Sequence, residues 1–191
     1  MPFTFSHPAI VLPLKFISNK WFSLTGLVIG SITPDFEYFI KMKVESHFSH
    51  SILGIFYFDL PLAIVLTFIF HNIVRNQLIE NSPKIIKART IDFNNFNWNQ
   101  YFKSNYLVVI ISILVGISSH IFWDSFTHKT GFFVSEIIYL QKNIEIRNYN
   151  FPIYKILQHL STILGGLIIA LSTYKLPANQ NKAGMVNYKY W

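Results

Sequence analysis

The sequence has 191 residues, of which 51% are hydrophobic and only 13% are charged, and its mean hydropathy is +0.35. Soluble domains usually carry about 25% charged residues, so this composition argues against a water-exposed particle and favours the lipid bilayer as solvent. The net charge of +7 comes from basic residues that are scattered and form no stripe, which excludes nucleic acid as a partner and fits loops beside anionic lipid headgroups.

The predicted elements begin with two helical segments. Pro8–Ile17 favours a short helix with Pro8 at its first position and Ser6 or His7 as its cap. Leu24–Ile40 is apolar at first and is then interrupted by a Pro-Asp pair. This second segment is interpreted as a half-buried helical element, and its sequence leaves open whether it re-enters the membrane or forms a fourth span.

Three further segments approach the roughly 20 apolar residues that a helix needs to cross a bilayer, namely Ser51–Val74, Tyr106–Trp123 and Ile156–Tyr174. The polar and aromatic stretch Arg75–Asn105 is expected at the membrane interface, and Gly131–Asn150 is expected to be a loop. The sequence therefore predicts an all-α, multi-span helical membrane protein with three to four spans and additional short interfacial helices. A single helical membrane domain is predicted over residues 1–176, followed by a polar C-terminal tail over residues 177–191.

The histidines and acids near the end of the second span follow a pattern that suits metal binding. His120 and Asp124 are four residues apart, which on a helix places them on one face about 6 Å apart, and His128 continues the series if the helix persists through Thr127. Two ligands at this spacing can hold one ion, and nitrogen and oxygen are the only strong donors in a chain without cysteine. The alternative is a structural hydrogen bond, but ionisable groups at membrane depth are costly and usually functional.

The predicted topology brings further candidate ligands to the same membrane face. His50 precedes the first span, whereas His120 and Asp124 end the second span, so the chain returns to the face that it left. Asp35 and His7 can reach this face through the preceding segments, although a turn or a helix cap is the alternative role for each. His47 is a further candidate, whose alternative is a merely interfacial histidine. The predicted metal ligands are therefore His7, Asp35, His50, His120, Asp124 and His128.

Other polar residues and the glycines of the spans are interpreted differently. His71 lies 21 residues after His50, roughly 30 Å along a helix, and is predicted at the opposite face, whereas His159 lacks a partner four residues on. Asp59, just before Pro61, is interpreted as a structural acid that bonds backbone groups freed by the proline or a polar neighbour; a proton-relay or transport carboxylate is the alternative. Close helix packing is predicted at Gly54, Gly116, Gly165 and Gly166.

Five ordered motifs resemble an uncharacterised bacterial family of small membrane proteins, DUF4184. They are Pro2–Ala9, Gly30–Phe39, His50-Ser51, Phe58–Pro61 and Ser119–His128, and the resemblance covers roughly Met1–Tyr174. It implies a multi-span protein of the bacterial inner membrane and brings no established activity.

A more distant likeness concerns the order of the polar residues. His7, Asp35, His50, His120 and Asp124 are similar in order to a set in the membrane-bound metal-dependent hydrolase family and, more loosely, in zinc-dependent phospholipase C. This resemblance implies zinc ligands at these positions, with the last aspartate bridging two ions. The chain departs from the phospholipase pattern because it starts with Met1-Pro2 and lacks the later His-x-x-x-Glu, which implies one or two ions rather than three.

The functional prediction is a metal-dependent hydrolase at the membrane boundary. One or two divalent ions, with zinc expected, would activate a water to attack a phosphoester or a lipid headgroup. Asp35 and Asp124 are the predicted catalytic carboxylates, which bridge the ions or orient the water, and membrane lipid is the predicted partner. Two alternatives stay open: a non-enzymatic transport or structural protein whose His/Asp cluster is not catalytic, and a soluble all-α bundle. The sequence contains no nucleophile elbow, P-loop, zincin or dinucleotide motif.

Overall fold

A computed structural model describes residues 3–14, 20–43, 48–146 and 149–184 of the chain. The N-terminal part begins with a 3₁₀ turn, Thr4–Ser6, followed by helix α1, Pro8–Val11. Pro8 takes the first helical position, where its missing N–H is not needed. The last three residues of the predicted first helix, Lys15–Ile17, lie outside the described residues.

The second predicted element is a buried helix of half-bilayer length. Helix α2, Leu24–Ile32, is capped by the Ser23 side chain, which accepts a hydrogen bond from the Gly26 N–H. A 3₁₀ turn, Thr33–Asp35, links it to helix α3, Phe36–Lys41. Helix α2 is only about 14 Å long at 1.5 Å per residue, so it does not cross a bilayer core of about 30 Å. His47 lies outside the described residues.

The first long helix is α4, which runs from Ile52 to Glu80. It consists of α-helical stretches, Ile52–Gly54, Leu60–Ile69 and Arg75–Glu80, that alternate with π-helical turns, Ile55–Asp59 and Phe70–Val74. The first π-helical turn ends just before Pro61, whose ring and missing N–H are incompatible with a regular helix ladder. Helix α5, Lys84–Thr90, and a 3₁₀ turn, Ile91–Asn95, follow.

The second long helix, α6, spans Trp98–Thr127 and is kinked at Asn105, where φ is −133° and ψ is 28°. The kink separates the polar first turns of the helix from the apolar run that was predicted to begin at Tyr106. Beyond Thr127 the backbone of His128 is extended. The helix therefore does not continue through His128, and the predicted i+4 series on α6 ends at Asp124.

The remaining elements are short, apart from the last span. Helices α7, Phe132–Glu136, and α8, Ile138–Gln141, precede an antiparallel hairpin of β1, Asn143–Ile146, and β2, Tyr149–Pro152. The sequence predicted only a loop here. Helix α9, Ile153–Tyr174, follows directly, and α10, Gln180–Ala183, lies in the tail. The tail docks near α5, because the Asn179 N–H donates to the Ala88 carbonyl and the Lys182 ammonium donates to Asp92.

The fold class is confirmed: the described chain is mostly helical with a single short hairpin, and α4, the α6–α7 segment and α9 are long and apolar enough to cross a membrane. Their outer faces carry exposed large apolar side chains, such as Leu167 and Leu171 on α9, which suits a surface in contact with lipid. The buried centre of the bundle is apolar and consists of Ile29, Ile32, Ala63, Trp98, Val109, Ile113 and Ile117.

Helix α2 lies against α6 at very short range, and glycines make this approach feasible. A Cβ added at Gly30 would lie 2.3 Å from the Ile113 carbonyl oxygen, and one at Gly116 would lie 2.5 Å from the Leu27 carbonyl oxygen. Gly165 is likewise in close contact, with the backbone of Ser6. The packing role predicted for Gly166 is wrong, because a Cβ there would have open space within 4 Å of the described atoms.

Candidate metal centre

Four separate segments bring histidines and aspartates together near the end of α6. His7 lies between the first 3₁₀ turn and α1, Asp35 ends the turn before α3, and His50 precedes α4. His120 and Asp124 come from one face of α6, as their spacing predicted. Asp35 and His120 are fully buried, whereas the His50 side chain is 25% exposed.

The centre of this cluster contains two carboxylates and two imidazoles. One donor atom from each of Asp35, His50, His120 and Asp124 lies within 4.8 Å of all the others. His120 Nε2 is 3.4 Å from Asp35 Oδ1 and 3.3 Å from Asp124 Oδ2, and His50 Nε2 is 3.6 Å from the same Asp124 oxygen. Two imidazoles and two carboxylates around one point form a donor set that divalent zinc and related cations accept.

The other carboxylate oxygen of Asp124 faces a second pair of histidines. Asp124 Oδ1 is 3.6 Å from His7 Nε2 and 3.5 Å from His128 Nδ1. Asp124 therefore has one oxygen toward the Asp35–His50–His120 set and one toward His7 and His128, which is the geometry of a bridging carboxylate.

The atoms that face one another in the cluster lack hydrogen-bond partners within the described part of the chain. A buried polar atom without a partner is costly, and such atoms are concentrated here. They are His7 Nδ1 and Nε2, Asp35 Oδ1, His120 Nε2, both Asp124 oxygens and His128 Nε2. A cation between Asp35 Oδ1, His120 Nε2 and the Asp124 oxygens would satisfy these atoms together, so these residues fit a divalent ion.

Contacts on the far side of the ligands orient them toward the cluster. His120 Nδ1 lies 2.7 Å from the Ser31 carbonyl oxygen, to which it donates, and this leaves the Nε2 lone pair facing the carboxylates. The Thr4 hydroxyl donates to Asp35 Oδ2 at 2.6 Å and leaves Oδ1 for the cluster. Such outer contacts fix the tautomer and the rotamer of metal ligands. The sequence pattern gave no signal for Thr4 or for a carbonyl on α2.

Glu37 fixes the loop that carries His50, and sequence reasoning missed this role. Its carboxylate is buried and accepts hydrogen bonds from the backbone N–H of Phe48 and, at 2.8 Å, of Ser49, while Lys41 donates to it from the same helix. The Ser49 hydroxyl lies 2.9 Å from His50 Nδ1. His50 itself has a φ of 47°, an unusual value for a residue other than glycine. An acid two residues after Asp35 was the available sequence signal.

His7 does not act as a helix cap, which was its alternative interpretation. It occupies the N-cap position of α1, but its side chain makes no capping hydrogen bond. Its ring instead stacks on His120, with centroids 3.9 Å apart. Burial, together with the neighbouring His120, lowers the pKa of His7 to about 4. The imidazole is therefore neutral at physiological pH and has a lone pair to offer.

His128 reaches Asp124 although it lies outside the helix. Its Nδ1 is 3.1 Å from the backbone carbonyl oxygen of Asp124, which also accepts the hydrogen bond of the His128 backbone N–H at the end of α6. When Nδ1 donates this bond, only Nε2 is left as a lone-pair donor, and this atom is among the buried atoms without a partner. His128 is thus placed beside the cluster, on the Oδ1 side of Asp124.

The remaining polar candidates lie elsewhere. His71 contacts Thr25 and Arg75 through its two ring nitrogens and stacks on Trp98 with centroids 4.5 Å apart. His159 is exposed on α9. Asp59 is fully buried in the first π-helical turn of α4, and neither of its carboxylate oxygens has a hydrogen-bond partner among the described residues. The structural bonds expected for Asp59 are therefore not seen.

The fold and the cluster together define a multi-span helical membrane protein with a buried His/Asp group that could bind a metal ion. The chain belongs to the family described as Domain of unknown function (DUF4184), whose model matches residues 1–191. This confirms the first resemblance seen in the sequence, whereas the likeness to metal-dependent hydrolases is not supported by this match. No curated protein and no solved structure matches the chain significantly.

Proposed function

We propose that the chain is a membrane-embedded metal-dependent hydrolase that acts on a phosphoester or a lipid headgroup at the membrane boundary. The observation that carries this proposal is the concentration of buried ligand atoms without partners on Asp35, His120 and Asp124. A purely structural cluster would pair its donors and acceptors internally. Here His120 Nε2 and the carboxylate oxygens converge at 3.3–3.4 Å without forming hydrogen bonds of regular geometry, and a cation between them would bind all of these atoms.

In this proposal the ligands divide between the two oxygens of Asp124. Asp35, His50 and His120 would hold one ion together with Asp124 Oδ2, and His7 Nε2 would approach a second ion at Asp124 Oδ1. His128 faces this oxygen with Nδ1, so it would join the second ion through Nε2 after a turn of its ring. Zinc is the proposed ion because mixed imidazole and carboxylate sets are typical of zinc sites. A bound zinc ion supplies Lewis-acid chemistry and lowers the pKa of a coordinated water toward neutrality.

The protein's own groups would position the reactants and move the proton. Asp35, held by Thr4 through Oδ2, presents Oδ1 to the cluster, where it can orient a water or accept its proton. With a single ion at Oδ2, Asp124 could take the same role with Oδ1. His50 and His128 are the partly exposed ligands, each 25% exposed, so a substrate can approach the cluster from the His50 side or from the side of His7 and His128.

The position of the cluster suggests the substrate class and the location. His50 immediately precedes α4 and Asp124 lies in the last turn of α6, so the cluster is at one end of two candidate spans. Lipid headgroups occupy this depth of a membrane. We therefore propose membrane lipid as the substrate and the bacterial inner membrane as the location.

The proposal is tested by metal analysis of detergent-purified protein. We expect near-stoichiometric zinc or manganese by mass spectrometry, and hydrolysis of a phosphoester or phospholipid that stops after chelation and returns when the metal is restored. Absence of stoichiometric metal in folded protein after supplementation would reject the proposal.

Asp59 favours a second candidate function, a metal or proton conduit. A fully buried acid without a partner among the described residues lies within α4, and intramembrane acids often mark transport paths. Asp59 lies nine residues after His50, which corresponds to about 13 Å along the helix at 1.5 Å per residue. A path through the bundle could therefore continue from the cluster to Asp59.

The variant Asp59→Asn distinguishes the two functions because it keeps the side-chain shape and removes the charge. If the protein is a hydrolase, Asp59→Asn is expected to retain its bound metal. Neither the wild type nor the variant is then expected to show metal-dependent uptake into proteoliposomes. Uptake by the wild type that the variant abolishes would instead establish transport. Size-exclusion chromatography controls for folding, since loss of the folded peak in the variant would indicate a structural acid.

A further inference from the structure

A cavity of about 250 Å³ lies between the N-terminal segment, α6 and α9. Its lining is largely apolar and includes Ile10 from α1, Trp123 from α6, and Leu164 and Ile168 from α9. Ligand pockets usually measure about 300–1,000 Å³, so this cavity has room for one slender apolar group rather than for a whole lipid.

His7 stands between the cavity and the candidate metal centre. This histidine lines the cavity, and its Nε2 is 3.6 Å from Asp124 Oδ1. Neither ring nitrogen of His7 has a hydrogen-bond partner among the described residues. A molecule in the cavity would thus have its polar end beside the cluster and its apolar part away from it.

The walls of the cavity come from two candidate membrane spans, and they open toward the lipid side. Leu164 is 57% and Ile168 is 46% exposed, although both line the cavity. The solvent that meets these side chains in a membrane is hydrocarbon, so the cavity can be filled laterally from the bilayer. A lipid acyl chain is the occupant that matches both the apolar lining and the narrow volume.

The N-terminal segment is anchored on α9 and forms one side of the cavity. The Ser6 hydroxyl donates to the Thr162 carbonyl, and the Phe3 N–H donates to the Thr162 hydroxyl. Gly165 permits this contact, because a Cβ there would lie 2.7 Å from the Ser6 carbonyl oxygen. These contacts hold the N-terminal segment against α9, so the cavity has a defined wall and is not a gap between loosely packed helices.

We propose that this cavity binds one acyl chain of a membrane lipid and thereby places the lipid headgroup at the His7–Asp124 side of the metal centre. The inference rests on the proposed hydrolase function for the role of the headgroup, whereas chain binding itself depends only on the cavity. It assigns the substrate as an acylated lipid that enters laterally from the bilayer.

Photolabelling tests the proposal with a matched pair of variants. The protein is reconstituted in vesicles of phosphatidylethanolamine and phosphatidylglycerol that contain phosphatidylethanolamine with a diazirine at the end of one acyl chain. Ile168→Trp fills the cavity, whereas Leu167→Trp adds the same ring to the adjacent, exposed position that does not line it. We expect labelling of peptides around Trp123 and Leu164 to fall several-fold in Ile168→Trp and to stay at the wild-type level in Leu167→Trp.

Equal labelling of these peptides in the two variants would overturn the proposal. The proposal would also be overturned if the protein forms a dimer and these peptides are labelled only after the dimer dissociates, because a second copy would then cover the cavity. The milder variant Ile168→Phe replaces Ile168→Trp if the latter misfolds. Metal content is measured on the same samples. Bound metal with unselective labelling rejects only the acyl-chain site, whereas selective labelling without bound metal rejects only the hydrolase.

Discussion

Replacing Asp124 with alanine is expected to lower the affinity for zinc by more than about 100-fold, because even residues that only support the ligands contribute about 10- to 100-fold. Asp124 has the most contacts in the cluster, with histidine nitrogens between 3.3 and 3.6 Å from its two oxygens. Its loss would remove a ligand both from the group of Asp35, His50 and His120 and from the pair of His7 and His128. The affinity is measured by competition with a chromophoric chelator in detergent solution.

His159→Ala is the matched control for this loss. His159 is an exposed histidine on a membrane-spanning helix, and it lies outside the cluster. We expect its removal to leave zinc affinity at the wild-type value. Similar affinities for Asp124→Ala and His159→Ala, with both proteins eluting as folded species, would show that any bound metal is held elsewhere.

The spans and the first ligand pair were predictable because each depends on local sequence. An apolar run of about 20 residues has few alternatives to a membrane-spanning helix, and the i,i+4 spacing of His120 and Asp124 fixes their common face once the helix exists. Asp35 and His50 required one more step, the return of the chain to the same membrane face. The structure brings all four together, although their binding role stays a prediction.

The supporting contacts were not predictable because they depend on how helices pack. Ser31 contributes a backbone carbonyl, which no side-chain pattern reveals, and Glu37 contacts a loop more than ten residues away. The hairpin of β1 and β2 was missed because each strand has only four residues, so the alternation of Asn143–Ile146 is at the lower limit of a recognisable strand pattern, and the strands are largely exposed. Gly166 was assigned a packing role because it follows Gly165. Consecutive residues of a helix point in different directions, however, and a Cβ at Gly166 would meet no described atom within 4 Å.

The packing of α2 on α6 links the fold to the cluster, and Gly116→Leu is expected to disrupt both. A side chain at this position would collide with the backbone at Leu27 and Ser31. Overpacking against side chains typically costs about 1–3 kcal/mol, occasionally more, and a backbone collision belongs at the upper end. With about 2–4 °C per kcal/mol for a protein of this size, we expect the melting temperature in detergent to fall by roughly 6–12 °C.

The same substitution should weaken zinc binding through geometry rather than through loss of a ligand. Moving α2 away from α6 separates the Ser31 carbonyl from His120 Nδ1, so the His120 ring loses the contact that orients it. Gly166→Leu adds the same side chain to α9 where a Cβ meets open space, and it should change neither property. If Gly116→Leu melts at the wild-type temperature and binds zinc normally, the close approach of α2 and α6 is not what positions His120. A lowered melting temperature with intact zinc affinity would show that the packing of α2 on α6 stabilises the bundle but does not determine the orientation of His120.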